Sequence, residues 1–225
     1  MKTIKSTYNT KVYDFVELLR TLYRVEDLKK LHLGLPEGYQ VPEGIDGLGN
    51  DTDSRYHTIF YDKIREGWED FILLYKSFIY NEVLTRLNDN ITIYQSLPSY
   101  RIQYPFSKAV TTKHCDSDKN HKHPVGEINI LVPLTDMYGT SAVWAETSPG
   151  KGDFTALEGS YGDFYIWNGN KCNHYNKINT TSATRVSLDF RVLPDKFYNP
   201  DAAQHSATSG KKFIIGDYYS KFVGV

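Results

Sequence analysis

The chain has 225 residues, 40% hydrophobic and 24% charged, with a formal net charge of -1. This suits one large domain of an ordinary soluble globular protein. The near-zero charge removes any global attraction to nucleic acid or an anionic membrane, so neither is expected as a partner. Residues 1–10 hold no apolar signal-peptide core, and no stretch approaches the roughly 18 apolar residues of a membrane span. The two cysteines, Cys115 and Cys172, each lie close to a histidine. Two thiols in that setting fit a reducing compartment, and the expected location is the cytoplasm.

The first part of the chain reads as helical. Val12, Phe15, Val16, Leu19, Leu22 and Tyr23 recur at helical spacing between Lys11 and Arg24. A short second helix or turn is expected over 26–33. Residues 34–53 are rich in Gly, Pro and Asp and read as a long loop, a candidate lid. From 58 to 87 the helical period returns, with Phe60, Ile64, Phe71, Tyr75, Phe78 and Ile79 as one buried stripe, and Gly67 is the expected break between two helices.

After Asn90 the period changes to two. Strands are expected over 91–97, 100–104, 128–134, 141–146, 163–167 and 185–192, separated by Gly-rich and Pro-rich turns. Many short strands joined by such turns indicate a β-sandwich or jelly-roll barrel, with the earlier helices covering one outer face. The expected organisation is one domain: a mainly helical part over 1–90, a β core over 91–194 and an extension over 195–225. The last strand alternates Arg185, Ser187, Asp189 and Arg191 with Val186, Leu188, Phe190 and Val192. A polar face usually meets solvent. In a barrel that binds a polar ligand it points inward, and the apolar face packs on helices; that is the arrangement expected here. The extension carries Phe213, Ile214, Ile215, Tyr218, Tyr219 and Phe222, apolar enough to pack on the domain or on a second copy in a homodimer.

The chemistry-bearing pattern is His114-Cys115-Asp116 with His174 far downstream. Two imidazoles and one carboxylate are the ligands of a non-haem iron(II) site with open coordination positions. Ligands at i and i+2 share one face of a strand. Rivals stand nearby: Asp118 as the carboxylate, His121 or His123 as the imidazole. A zinc site drawn from Cys115, His121, His123 and Cys172 is the structural alternative, although no Cys-x-x-Cys pair supports it. Arg185 follows His174 by eleven residues, and its planar fork with Ser187 matches a carboxylate. An ion pair of Arg185 with Asp189 or Glu146 is the structural alternative. Arg101 and Gln103 form a second same-face polar pair that could meet cosubstrate or substrate. Asn129 interrupts an apolar strand and needs a hydrogen-bond partner there. Trp144, Tyr165 and Trp167 read as core or pocket wall.

The segments His114-Cys115-Asp116, Gly126-Glu127-Ile128-Asn129, Val132-Pro133-Leu134-Thr135, Trp144-Ala145-Glu146, His174 to Asn179 and Thr184 to Arg191 together resemble one family. It is that of the iron(II)- and 2-oxoglutarate-dependent oxygenases similar to those of streptomycin-type aminoglycoside biosynthesis. The resemblance covers about 100–194. It implies a double-stranded β-helix, a cupin-like jelly roll packed against helices. It implies Fe(II) on His114, Asp116 and His174, with 2-oxoglutarate on the metal and its distal carboxylate on Arg185. Ser187, Arg101, Gln103 and Asn129 are further cofactor-binding candidates. The implied activity is a dioxygenase that uses O2 to oxidise, by default hydroxylate, a polar small molecule with release of succinate and CO2. A fold of this kind carries many functions, so two other classes stay open: a non-enzymatic sugar-binding or small-molecule-binding jelly roll, and a zinc-stabilised structural protein.

Overall fold

The computed structural model describes residues 1–39, 54–107, 112–207 and 209–223. Most of the candidate lid, residues 40–53, therefore lies outside the described residues.

The N-terminal helices form where the apolar period predicts, with small shifts at their ends. Helix α1, Phe15–Tyr23, starts where Asp14 Oδ1 accepts a hydrogen bond from Glu17 N at 2.9 Å, and it ends at Arg24 in the left-handed conformation. Val12 precedes this cap and is exposed, so it is not part of the buried stripe that Phe15, Leu19 and Tyr23 form. Leu28–Gly34 is a short 3-10 helix. Helices α2, Arg55–Arg65, and α3, Glu69–Phe78, are separated at Gly67, whose φ of +88° is accessible to glycine at little cost. The whole predicted stripe from Phe60 to Ile79 is buried.

The described residues form ten strands: β1 Ile4–Thr7, β2 Ile93–Gln95, β3 Ser99–Gln103, β4 Ile128–Pro133, β5 Val143–Ala145, β6 Thr155–Leu157, β7 Asp163–Trp167, β8 His174–Asn176, β9 Arg185–Leu193 and β10 Tyr219–Lys221. All ladder pairings are antiparallel. The larger sheet runs β1-β7-β4-β9-β2-β10, with β3 also paired to β9; the smaller runs β6-β5-β8 and is extended by a bridge between His114 and His174. From β3 onward the chain passes repeatedly between the sheets: β3, β4, β7 and β9 enter the larger one, and the His114 segment, β5, β6 and β8 enter the smaller. β5 and β6 are consecutive and lie side by side; the crossings around them make the jelly roll expected from the strand pattern. β1, β6, β8 and β10 are additions to the predicted strands. β1 and β10 show that both terminal segments contribute edges to the larger sheet.

Strand β9 divides the molecule into two environments. Val186, Leu188, Phe190 and Val192 are fully buried and share one core with the helices. Phe190 meets Tyr75 edge-on at 5.0 Å and Phe78 at 6.5 Å. Arg185, Ser187, Asp189 and Arg191 face the other way, into the space between the sheets, and Arg185, Asp189 and Arg191 line its cleft. The tail is not a loose end. Phe213, Tyr218 and Tyr219 pack with Ile93 and Leu193 in a cluster of their own, and β10 pairs with β2.

Because Phe190 ties the helices to the sheet, Phe190→Ala should cost about 3–5 kcal/mol of unfolding free energy. A urea titration measures this; a loss below 1 kcal/mol would mean that the helical layer is not held through this side chain.

Candidate metal centre and adjoining cleft

Three backbone devices bring the His-x-Asp segment to the distant histidine. His114 N donates to His174 O at 3.1 Å and His174 N to His114 O at 2.7 Å, so the two histidines are directly opposed. Asp116 N donates to Gly169 O at 3.0 Å. A side chain at Gly169 would come within 2.7 Å of Asn129 Nδ2 and 2.8 Å of the Trp167 ring, so only glycine permits this turn to approach so closely. Glu146 then staples the start of β8: it accepts from Asn173 N at 2.8 Å, Asn173 Nδ2 at 3.1 Å, Gly150 N at 3.1 Å and Gly152 N at 3.0 Å.

One ligand atom each from His114, Asp116 and His174 lies within 4.8 Å of the others. Asp116 Oδ1 is 3.7 Å from His114 Nε2 and 3.5 Å from His174 Nε2. The outer nitrogens are already engaged: His114 Nδ1 donates to Thr112 O at 2.8 Å and His174 Nδ1 to Cys172 O at 3.1 Å. Both rings therefore carry a proton on Nδ1 and turn Nε2 toward Asp116 Oδ1, the orientation a metal requires. Burial, aided by the neighbouring His174, pulls the His114 pKa down to about 4. The imidazole is neutral at pH 7 and need not shed a proton to bind a cation.

Asp116 is almost fully buried, and burial alone would raise its pKa. The Arg191 guanidinium, with smaller effects from nearby histidines and Asn129, outweighs that and holds the carboxyl well below the usual range. Arg191 Nε and Nη2 donate to Oδ2 at 3.1 and 2.9 Å, and Asn129 Nδ2 donates to the same oxygen at 2.7 Å. Oδ2 is thus used up by the protein while Oδ1 stays beside the imidazoles. The chemistry of the donors, two imidazole nitrogens and one anionic oxygen at the edge of a cleft, fits a divalent transition metal.

Asp116, His123 and Glu127 form a second cluster within 4.8 Å. Here the carboxylates already have partners. Arg191 engages Asp116, His123 Nδ1 donates to Glu127 at 2.7 Å, and Tyr219 Oη donates to the other Glu127 oxygen. This layer braces the first cluster. The rivals read from the sequence also have other work. Asp118 accepts from His121 N and His121 Nδ1 at 2.8 and 2.9 Å, and the His121 ring stacks on His114 at 4.0 Å. Cys115 and Cys172 are free thiols, and no metal-ligating cluster among the described residues includes either.

A cleft opens beside the triad. His114 and His174 lie on its wall together with Arg185 and Arg101. Arg185 Nη1 donates to Ser187 Oγ at 3.0 Å, and Nη2 is 3.5 Å from Gln103 Oε1. Asp189 pairs with Arg191 at 3.2 Å. Glu146 is committed to its staple, so neither carboxylate named as an ion-pair alternative is given over to Arg185. Asn129, a cofactor-binding candidate in the sequence, contacts the carboxylate of Asp116 instead. The sequence reading gave no site role to Arg191 or Asn176 and named Asp189 only as an ion-pair alternative for Arg185; all three are on the cleft wall. For Arg191 a signal was present: a second arginine on the inward face of one strand, where one suffices for a carboxylate.

No protein-family model matches the chain. The chain is similar to the streptomycin biosynthesis protein StrG of Streptomyces griseus, 29% identical over 221 residues, which span 97% of this chain and 98% of the relative. Solved structures that align with it include a prolyl hydroxylase from Trichoplax adhaerens, complexed with a hypoxia-inducible factor peptide (10% identity, 87% of this chain and 84% of that one, TM-score 0.46). Another is the non-haem alpha-ketoglutarate-dependent carbocyclase SnoK from nogalamycin biosynthesis (10% identity, 86% and 79%, TM-score 0.47). No helix among the described residues is long and apolar enough to cross a membrane.

Two measurements test this electrostatic reading. A histidine titrates near 6.5 when unfolded, and the folded value is lower, so the stability from neutral His114 is complete above about pH 6.5 and fades as pH falls toward 4. The urea midpoint of metal-free protein should drop across that window, and His114→Gln should flatten the drop; an unchanged slope refutes the assignment. Arg191→Met should cost about 3–5 kcal/mol, because it strands a buried carboxylate, as read by the same titration. The resemblance read from the central motifs thus extends along nearly the whole chain: the similarity to the streptomycin biosynthesis protein StrG covers 97% of it.

Proposed function

We propose that the protein is an iron(II)- and 2-oxoglutarate-dependent oxygenase that oxidises a polar small molecule. The observation that carries this reading is the shared cleft. The two histidines of a neutral-imidazole and carboxylate triad and an arginine suited to a carboxylate stand on one wall. A metal-storage or structural site has no need of the arginine.

In this reading His114 Nε2, Asp116 Oδ1 and His174 Nε2 hold the metal. Arg191 and Asn129 fix the carboxylate through its other oxygen. Arg185, supported by Ser187 and Gln103, grips the distal carboxylate of 2-oxoglutarate, and Arg101 stands on the same wall. When bound, iron(II), 2-oxoglutarate and O2 supply oxidation of an unactivated C–H bond, with hydroxylation the default outcome and succinate and CO2 released. The protein contributes orientation and water exclusion, through apolar walls at Leu131, Val143 and Trp167. The relative's part in streptomycin biosynthesis supports a hydroxylated small molecule as substrate. The two free thiols support a reducing, cytoplasmic setting.

The test is anaerobic titration of the iron(II)-loaded protein with 2-oxoglutarate. We expect a new visible absorption band and, on admission of air, slow succinate formation even without substrate; absence of both sinks the oxygenase reading. His174→Ala should abolish metal binding. Arg185→Ala should retain the metal and weaken 2-oxoglutarate by at least about 30-fold, the minimum for losing a buried charge pair. Equal affinity for 2-oxoglutarate in that variant would remove Arg185 from its role. Chelation should leave a folded protein, whereas a structural zinc site would lose its fold.

A further inference from the structure

The cleft contains polar groups that neither the metal triad nor the 2-oxoglutarate anchor uses. Asp189 projects from β9 between Arg185 and Arg191, opposite Ser99 of β3 and Leu131 of β4. Its Oδ2 is held by Arg191 Nη1 at 3.2 Å, which fixes the carboxylate plane. Its Oδ1 is inaccessible from outside and has no hydrogen-bond partner among the described residues. On the facing sheet Asn176 lies two residues beyond His174, on the same side of β8, and its Nδ2 likewise meets no acceptor. The indole N–H of Trp167 is a third such group, on a side chain only 4% exposed. All three residues line the cleft beside the histidines.

A buried carboxylate oxygen needs a donor. The cosubstrate cannot supply one, because 2-oxoglutarate is a dianion with no N–H or O–H, and its oxygens would be repelled by Asp189. Of the organic molecules in this reaction, only the substrate can supply one. A charged donor satisfies a carboxylate about twice as strongly as a neutral one. The amide of Asn176 and the indole of Trp167 call for acceptor oxygens on that same molecule.

Resting on the oxygenase reading above, we infer that Asp189 is a substrate-recognition residue that seats a protonated amine or guanidine of a polyhydroxylated substrate, with Asn176 and Trp167 on its oxygens. The substrate class is then an amino- or guanidino-polyol rather than a neutral sugar or an acid. Asp189 decides between these classes by charge, and position in the cleft decides which carbon is presented to the metal.

The probes are three ring-matched cyclitols: streptamine with two amines, streptidine with two guanidines, and scyllo-inositol with neither. Each is titrated calorimetrically, without oxygen, into protein loaded with manganese(II) and 2-oxoglutarate. Streptamine or streptidine should bind at least about tenfold more tightly than scyllo-inositol, as a charge-assisted bond requires. In Asp189→Asn that advantage should vanish while the dissociation constant for 2-oxoglutarate stays within about threefold, since the anchor on Arg185 is untouched. Equal affinities, or no binding of either charged cyclitol to the wild type, overturn the inference. So does a charged-cyclitol advantage that survives Asp189→Asn. The wild-type comparison needs no variant, so it decides even if Asp189→Asn fails to fold. Failure of wild-type protein to bind 2-oxoglutarate would instead refute the oxygenase reading, and the two failures are read in separate titrations.

Discussion

The structure turns on one guanidinium. Arg191 reaches from β9 to Asp116 with two hydrogen bonds and to Asp189 with a third contact, so a single cation serves two carboxylates from separate parts of the chain. Burial works against the charge on Arg191, but Asp116 and Asp189 outweigh it and raise its pKa well above the ordinary value. For Asp116 the arginine outweighs the burial that would otherwise favour the neutral acid. The consequence is directional: each carboxylate spends one oxygen on Arg191, which leaves Asp116 Oδ1 beside the imidazoles and Asp189 Oδ1 in the cleft.

Strand β9 makes that possible by keeping two alternations in one sequence. Its apolar residues join the helices through Phe190, and its polar residues furnish the cleft. The helical layer is therefore what lets a strand point its charges inward, because it covers the face that would otherwise meet water. Around this strand the remaining devices do local work. Gly169 allows a close turn, Glu146 fixes the start of β8, and the opposed pair His114 and His174 sets the imidazoles side by side.

Much of this was legible in the sequence for physical reasons. Long apolar stripes such as Phe60 to Ile79 and the nine-residue alternation of β9 contain enough periods to declare themselves. β1, β6, β8 and β10 have three or four residues each, too few to show a period, and β1 and β10 extend the larger sheet beyond the core strands. The His114, Asp116 and His174 grouping was readable because its residue types are scarce and chemically distinctive. The partner of Asn129 was not, since an amide needs some hydrogen bond but does not specify which. Likewise nothing local separates the duties of Arg185 and Arg191; only Asp116, 75 positions before Arg191, does so.

The tail adds a temporal dimension. Tyr219 bonds Glu127, and Phe213 and Tyr218 flank His123, the layer directly behind Asp116. These residues are synthesised well after Asp116, and domains fold as the chain emerges from its N-terminus. The triad is thus translated before its backing exists, and the bracing of Asp116 closes only once Phe213 to Tyr219 have left the ribosome. A chain interrupted before Phe213 would carry the ligands without their rigid support.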